Sequence, residues 1–150
     1  MSHSFTNLLT HAVFSTKDRI PLIPSDIRPR LHSYMGGIIR RLHGKVITIG
    51  GTIDHVHLLI QLTPTLALAE AIQKLKANSS RWVNETLHLP TKFAWQEGYA
   101  GFSVSMSNVS RVAKYISNQE IHHRKKTFRE EMRELFMKHQ ISLDERSMWN

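Results

Sequence analysis

Two histidines separated by one residue are the first candidates for chemistry in this sequence. His55 and His57 alternate with Val56, Leu58 and Ile60, and this alternation predicts a β-strand whose successive side chains point to opposite faces. The apolar side chains would then face a core, and the two imidazoles would stand together on the other face. Because neutral imidazole is a common ligand of divalent metals, the pair predicts a metal site. The alternative interpretation is a strand with two half-exposed histidines and no ligand.

A tyrosine and a glutamine further along the chain extend this candidate site. Tyr115 and Gln119 lie four residues apart in a predicted helix over residues 107–126, so they would be neighbours on one helix face. A tyrosine hydroxyl can act as a covalent nucleophile, and a glutamine carbonyl can bind a divalent cation. Taken singly, they would be an ordinary packed tyrosine and an ordinary surface glutamine. With the two histidines they would form a mixed nitrogen and oxygen site beside a hydroxyl able to attack phosphorus.

The elements that must position these residues follow the order strand, helix, strand, strand, helix, strand. This order predicts an α+β fold with the ferredoxin-like (RRM-like) βαββαβ plan, an antiparallel sheet with two helices on one face and additional C-terminal helices. The other face is predicted to be open, with nothing covering the two histidines. Strands are predicted at residues 10–15, 45–52, 55–60 and 102–106. Helices are predicted from about 25–28 to 43, from about 65 to 86, over 107–126 and from 127 onward.

Two glycine pairs interrupt these elements. Gly36 and Gly37 lie inside the first helix, where each glycine costs about 1 kcal/mol relative to alanine. This cost suggests a close approach by another backbone. Gly50 and Gly51 mark a bend near the end of the second strand.

The C-terminal part of the chain is predicted to hold one more helix. Thr127 and Glu130 fit a capping box, and Phe128, Met132, Leu135 and Phe136 supply an apolar stripe. Residues 1–150 are expected to form one domain, with this helix and a tail occupying about 127–150. The sequence leaves open whether the tail packs on the body of the protein or on a partner.

Composition indicates a basic globular protein. The formal charge is +8 before ten histidines are counted, which favours a polyanionic partner, most often nucleic acid. The chain has no cysteine, which excludes disulfides and thiolate metal sites and is compatible with a reducing cytoplasm. No membrane span and no secretory signal are recognised, so a cytoplasmic protein is expected.

Polar and basic side chains recur on two predicted helices. On the longer one they are spaced four and three residues apart, which places them on one face that suits a nucleic-acid backbone. A solvated helix face is the alternative for each group. The predicted DNA-binding residues are Lys74, Asn78, Arg81, Arg111, Lys114, His122, His123, Arg124, Lys125 and Lys126.

An aromatic and glycine-rich segment lies between the second long helix and the fourth strand. Aromatic side chains of this segment can stack on unpaired bases, and Tyr99 and Phe102 are the candidates. For Trp95 a place in the core is favoured.

Four motifs, in this order and spacing, resemble the single-tyrosine HUH transposases of small insertion sequences that move as single strands (IS200-like) and their REP-associated relatives. The resemblance runs from about residue 5 to about residue 149. It implies the ferredoxin-like fold and a homodimer in which the tyrosine helix typically completes the partner's site. The motifs are Asp-His-Val-His-Leu-Leu, Lys-Ala-Asn-Ser-Ser-Arg-Trp, Phe-Ala-Trp-Gln-Glu-Gly-Tyr and Tyr-Ile-Ser-Asn-Gln-Glu-Ile-His-His-Arg-Lys.

The resemblance also implies roles for individual residues. His55, His57 and Gln119 would be ligands of Mg²⁺ or Mn²⁺, and Tyr115 would be the nucleophile that cleaves and rejoins hairpin-bearing single-stranded DNA through a 5′-phosphotyrosine link. An accessory role near the metal is open for His123. The Tyr-Ala-Gly sequence that starts at Tyr99 departs from the Gly-Ala expected after this tyrosine. Two other classes remain, a non-catalytic, domesticated hairpin-binding protein and a metal-dependent hydrolase.

Overall fold

A four-stranded antiparallel sheet forms the centre of the structure, a computed structural model that describes residues 3–142. The first and third strands lie in the middle, and the second and fourth form the edges. This order is that of the predicted ferredoxin-like plan, in which neighbouring central strands are joined through helical connections. The strands are β1 (Leu9–Ser15), β2 (Lys45–Gly51), β3 (His55–Gln61) and β4 (Ala100–Val104).

Helices pack on both faces of this sheet. Two long helices, which bury apolar stripes with Leu31 and Leu75, cover one face and form the main core with β1 and β3. Among the described residues, no helix has the length and apolar character needed to cross a membrane. The helices are α1 (Arg28–Arg41), α2 (Leu68–Thr86), α3 (Val109–Ser117), α4 (Gln119–His122) and α5 (Phe128–Lys138).

The pairing of β1 with β3 decides which side chains reach each face. Phe14 lies opposite Val56 in the antiparallel register, and both belong to the core beneath α1 and α2. Val13 lies opposite His57, and because side chains alternate along a strand, these two residues face the other way. The predicted alternation in β3 is therefore confirmed.

The face that carries the two histidines is covered, so the prediction of an open face was wrong. The N-cap side chain of Thr127 accepts a hydrogen bond from the Glu130 backbone nitrogen at 3.1 Å, and the predicted capping box starts α5. This helix then lies across β1 and β4, and His55 and His57 are only 1% and 0% exposed. The apolar contact unites Phe128, Met132 and Phe136 of α5 with Val13, Ala100 and Phe102 of the sheet.

The single helix predicted over residues 107–126 is three shorter pieces. A 3-10 turn at Met106–Asn108 precedes α3, and Asn118 (φ −104°, ψ 24°) separates α3 from α4. Asparagine favours such breaks because its short polar side chain competes with backbone hydrogen bonds. Residues 123–126 form a turn that leads into α5. The fourth strand begins at Ala100, two residues before the predicted start.

The close backbone approach occurs at a different glycine from the one predicted. A Cβ atom on Gly37 would have nothing within 4 Å, and one on Gly36 would meet only the Arg40 side chain, at 3.3 Å. A Cβ atom on Gly50 would lie 2.1 Å from the backbone oxygen of Ile116. The glycine in β2 thus lets α3 settle directly on the sheet, which fixes the position of Tyr115.

Candidate active site

His55 and His57 form the floor of a buried polar cluster beneath α5. Their ring centroids lie 5.2 Å apart, and both rings direct Nε2 towards one carboxylate. Glu131 Oε1 lies 3.2 Å from His57 Nε2 and 3.6 Å from His55 Nε2. The two imidazoles therefore converge on one point.

The other ring nitrogen of each histidine is held by a neighbour. His55 Nδ1 lies 2.8 Å from Asp54 Oδ1 and 3.0 Å from Thr52 Oγ1. His57 Nδ1 lies 2.8 Å from His11 Nε2, and these two rings stack. Partners of this kind orient a histidine ligand and leave its second nitrogen for a metal. His11 was not predicted as a site residue.

Tyr115 and Gln119 reach the same cluster in spite of the break between α3 and α4. Gln119 Oε1 lies 3.2 Å from His55 Nε2, and the residue is 1% exposed. The Tyr115 hydroxyl donates a hydrogen bond to the Glu131 carboxylate. The structure therefore brings together all four residues that the sequence suggested.

Glu131 is the functional candidate that the sequence analysis missed. It is 1% exposed and accepts hydrogen bonds from the Tyr115 hydroxyl and from Gln119 Nε2, the latter at 3.0 Å. His123 Nε2 is also close, 2.9 Å from Oε1. A signal was present, since Glu131 falls on the apolar face of its helix beside Met132, where an unpaired acidic residue is unfavourable.

The donor set suits a divalent cation. One ligand atom from each of His55, His57 and Glu131 lies within 4.8 Å of the others, and all three residues are buried. Imidazole nitrogens with carboxylate and amide oxygens are ligands that Mn²⁺ accepts, and oxygen ligands suit Mg²⁺. Gln119, the predicted third ligand, borders the same space. Glu131 is therefore a candidate ligand in addition to the three predicted ones.

Burial and neighbouring charges set the protonation states. Burial lowers the pKa of His57 to about 4, and burial together with His57 lowers the pKa of His11 to about 3. Burial alone would raise the pKa of Glu131, but hydrogen bonds with His123 and His57 hold it well below its usual range. Burial and the Glu131 carboxylate raise the pKa of Tyr115. At neutral pH His11 and His57 are therefore neutral, Glu131 is an anionic carboxylate and Tyr115 is a protonated phenol.

The basic face predicted on the long helix, here the α2 basic face, consists of Lys74, Asn78 and Arg81. The α2 helix packs on the sheet face opposite to the two histidines, so this surface does not lie beside Tyr115. Its members contact their own helix, because Asn78 Nδ2 donates to the Lys74 carbonyl at 2.8 Å and Arg81 Nη2 donates to Asn78 Oδ1 at 2.6 Å. DNA contact at this surface stays a prediction.

The remaining predicted DNA-binding residues surround the site. Arg111 and Lys114 are exposed on α3, and Lys126 forms an ion pair with Glu134 of α5. The residues that follow Gln119 divide into two groups. His122 and His123 turn inwards, with Nε2 atoms 3.5 and 2.9 Å from Glu131, whereas Arg124 and Lys125 are exposed in the turn.

The aromatic residues of the segment considered for base stacking differ in their exposure. Trp95 is 8% exposed, its indole nitrogen donates to Ser79 Oγ at 2.9 Å, and its place in the core is confirmed. Phe102 is 2% exposed and stacks on His139 with ring centroids 4.6 Å apart. Its ring faces are occupied, and the stacking role predicted for it was wrong. Tyr99 is half-buried, and its role stays a prediction.

The chain is similar to a known family and to a protein of that family. The family described as "Transposase IS200 like" matches residues 4–119. The ISDra2 transposase TnpA of Deinococcus radiodurans is 27% identical over 114 residues, which are 73% of this chain and 81% of that protein.

Two solved structures share the fold. A protein of Deinococcus radiodurans R1 assigned as a transposase superposes with a TM-score of 0.62 at 22% identity, over 79% of this chain and 96% of that one. A REP-associated tyrosine transposase bound to a REP hairpin superposes with a TM-score of 0.59 at 12% identity, over 82% of this chain and 74% of that one. The family match spans most of the chain, and the structure has a matching fold and a tyrosine beside paired histidines. This chain therefore belongs to the IS200-like transposase family.

Proposed function

We propose that this transposase cleaves and rejoins hairpin-bearing single-stranded DNA in a metal-dependent reaction with Tyr115 as nucleophile. The observation that carries the proposal is the convergence of the Tyr115 hydroxyl and the Nε2 atoms of His55 and His57 on Glu131. A phenol of raised pKa needs assistance to attack phosphorus at neutral pH. The cluster beside it has the ligands for that assistance.

The metal would be Mg²⁺ or Mn²⁺, held by His55 and His57 through Nε2 and by oxygens of Glu131 and Gln119. When bound, the ion supplies positive charge that offsets the charge developing on the scissile phosphate. With Nε2 committed to the metal, the proton of His57 lies on Nδ1, which donates to His11 Nε2, 2.8 Å away. The buried imidazole of His57 is thereby oriented before DNA arrives.

The chain's own part in the reaction follows from Tyr115. Its phenolic oxygen forms a bond to phosphorus while the bond from phosphorus to the 3′ oxygen breaks, which leaves a 5′-phosphotyrosine link and a free 3′-OH. The phenolic proton is released and the departing oxygen gains one. Because the link keeps a phosphodiester, a second 3′-OH can reverse the step without ATP. The hydrogen bond to Glu131 holds the hydroxyl towards the two histidines.

The DNA would approach over the basic surface next to the site. Arg111 and Lys114 of α3 and Arg124 and Lys125 after α4 are exposed there, and phosphate neutralisation by such residues supplies sequence-independent affinity. The solved relative that holds a REP hairpin supports a hairpin as the ligand. A cytoplasmic protein of one domain over residues 1–150 fits this activity.

All the candidate site residues lie within one chain, which differs from the shared site expected in a homodimer. Tyr115 lies beside His57 of its own chain, with ring centroids 5.8 Å apart, whereas the resemblance implies a tyrosine helix that completes the partner's site. The homodimer stays a prediction. Mixing Tyr115→Phe with His57→Ala chains tests whether a homodimer shares its sites, because activity returns only if one chain supplies its tyrosine to the other.

A denaturing gel tests the proposed function. Wild-type protein incubated with hairpin-bearing single-stranded DNA and Mn²⁺ should give a covalent adduct that disappears with excess chelator. Tyr115→Phe removes one hydroxyl and should abolish the adduct while DNA binding remains, and His57→Ala should abolish metal dependence and activity together. A free 5′-phosphate without adduct would indicate the hydrolase. Binding without cleavage would indicate the domesticated hairpin-binding protein.

A further inference from the structure

A cavity of about 260 Å³ lies beside the nucleophile, between β4, α3 and α5. Tyr115 and Glu131 are among its lining residues, so it adjoins the candidate active site. Its volume lies just below the range of about 300–1,000 Å³ typical of small-molecule sites. The space therefore suits one flat ring system and is too small for a longer ligand.

The walls of the cavity favour an uncharged aromatic ring. Val104, Val112 and Leu135 supply apolar surface from three different elements, which suits the face of a base. Glu131 also lines it and is 1% exposed, and a buried carboxylate disfavours a phosphate inside. The occupant should therefore be neutral and planar.

The rim of the cavity carries the opposite charge. Arg111 of α3 and Lys138 of α5 line it and are exposed to solvent. Glu134 is exposed there as well, but it forms an ion pair with Lys126. Cationic side chains at the mouth of an apolar cavity match a nucleotide, whose charged phosphates stay outside while its base enters. Because Tyr115 lines the cavity, a strand that presents a phosphate to its hydroxyl brings a neighbouring base within reach of the cavity.

We infer that this cavity binds the base of a nucleotide adjoining the scissile phosphate, turned out of the strand's stack. The inference rests on the proposed function and adds a substrate subsite to it. A base taken into a protein pocket presents its edges for recognition. The cavity would therefore contribute to the choice of the cleaved bond, in addition to the hairpin.

Abasic substitutions, one at a time along the strand, test the inference through the rate of adduct formation. For the wild-type protein, loss of the base at one position next to the cleaved bond should lower the rate about 5- to 150-fold, as expected for one stacked base. Leu135→Trp fills the cavity and should lower the rate on intact DNA. In this variant the abasic and intact strands should react at equal rates, because the base no longer has a place to enter.

Met137→Trp is the matched control, since Met137 lies on the same helix, is 78% exposed and does not line the cavity. It should keep the wild-type sensitivity to the abasic position. Thermal unfolding verifies that each variant is folded. If Leu135→Trp does not fold, Val112→Phe replaces it, because this substitution fills the cavity from the opposite wall. A flat abasic scan, or equal sensitivity in wild-type and filled proteins, would overturn the inference. Failure of the wild-type chain to form any adduct would instead refute the proposed function, and the subsite with it.

Discussion

Replacing Gly50 by alanine is the sharpest test of how the tyrosine is positioned. The added Cβ would lie 2.1 Å from the backbone oxygen of Ile116 and 2.9 Å from its carbonyl carbon. Both are backbone atoms, so no side-chain rotation can relieve the contact. Opening the shorter distance from 2.1 Å to 3.0 Å requires α3 and β2 to separate by about 0.9 Å.

A shift of that size should affect chemistry more than folding. Tyr115 precedes Ile116 directly, so its hydroxyl moves with the helix, and a misplacement of about 1 Å at a reacting group can cost about 100-fold in rate. The overpacked contact should lower the free energy of unfolding by about 1–3 kcal/mol. The main core beneath α1 and α2 is untouched, and the variant should remain folded.

The assay is the rate of covalent adduct formation with hairpin-bearing single-stranded DNA at saturating Mn²⁺, together with urea unfolding. Gly37→Ala is the matched control, because its Cβ would meet nothing within 4 Å. It should leave the rate unchanged and stabilise α1 by about 1 kcal/mol. A Gly50→Ala protein with wild-type rate and stability would refute the claim that this glycine seats the tyrosine helix.

Three further predictions follow from burial and charge. Burial and Arg28 lower the pKa of His32 from 6.5 to about 4, so the unfolded chain binds a proton at this residue more readily than the folded chain, and stability is lost as pH falls from 6.5 towards 4. Between pH 7 and pH 4.5, urea unfolding should show that His32→Gln loses about 2–3 kcal/mol less free energy of unfolding than the wild type. Glu131→Gln removes the anionic candidate ligand and should weaken Mn²⁺ binding at least about tenfold in calorimetry, whereas unchanged affinity would assign the oxygen ligand to the glutamine of α4 alone. Replacing Arg111 and Lys114 by alanine should reduce the slope of log affinity against log salt concentration by about 0.7 per lost phosphate contact. An equal effect from replacing Lys74 and Arg81 of the α2 basic face would mean that DNA also covers the opposite side of the sheet.

Local patterns in the sequence predicted what depends on local geometry. The alternation around His55 and His57 specified one strand face because side chains alternate strictly along a strand. The spacing of Tyr115 and Gln119 placed them together, and both reach the site although the helix between them breaks. Thr127 was correctly predicted to start a helix, since a capping box involves only neighbouring residues.

Contacts between distant parts of the chain were beyond this reasoning. His11 joins the site only because β1 pairs with β3 in one particular register, which its own sequence does not specify. Glu131 does so because α5 folds back over the sheet, and no local pattern indicates which face of the sheet a helix covers. The open face was therefore predicted wrongly, and the close approach was assigned to Gly36 and Gly37 instead of Gly50 for the same reason.

The position of α5 in the chain also bears on when the protein becomes competent during synthesis. His57 and Glu131 are separated by 74 residues, and the helix that carries the carboxylate is the last one in the described part of the chain. The ribosome releases the chain from its N-terminus, so the four strands and the tyrosine helix emerge before α5. A nascent chain that lacks α5 would carry both histidines uncovered, and its candidate metal site would gain the Glu131 carboxylate only when α5 folds over the sheet.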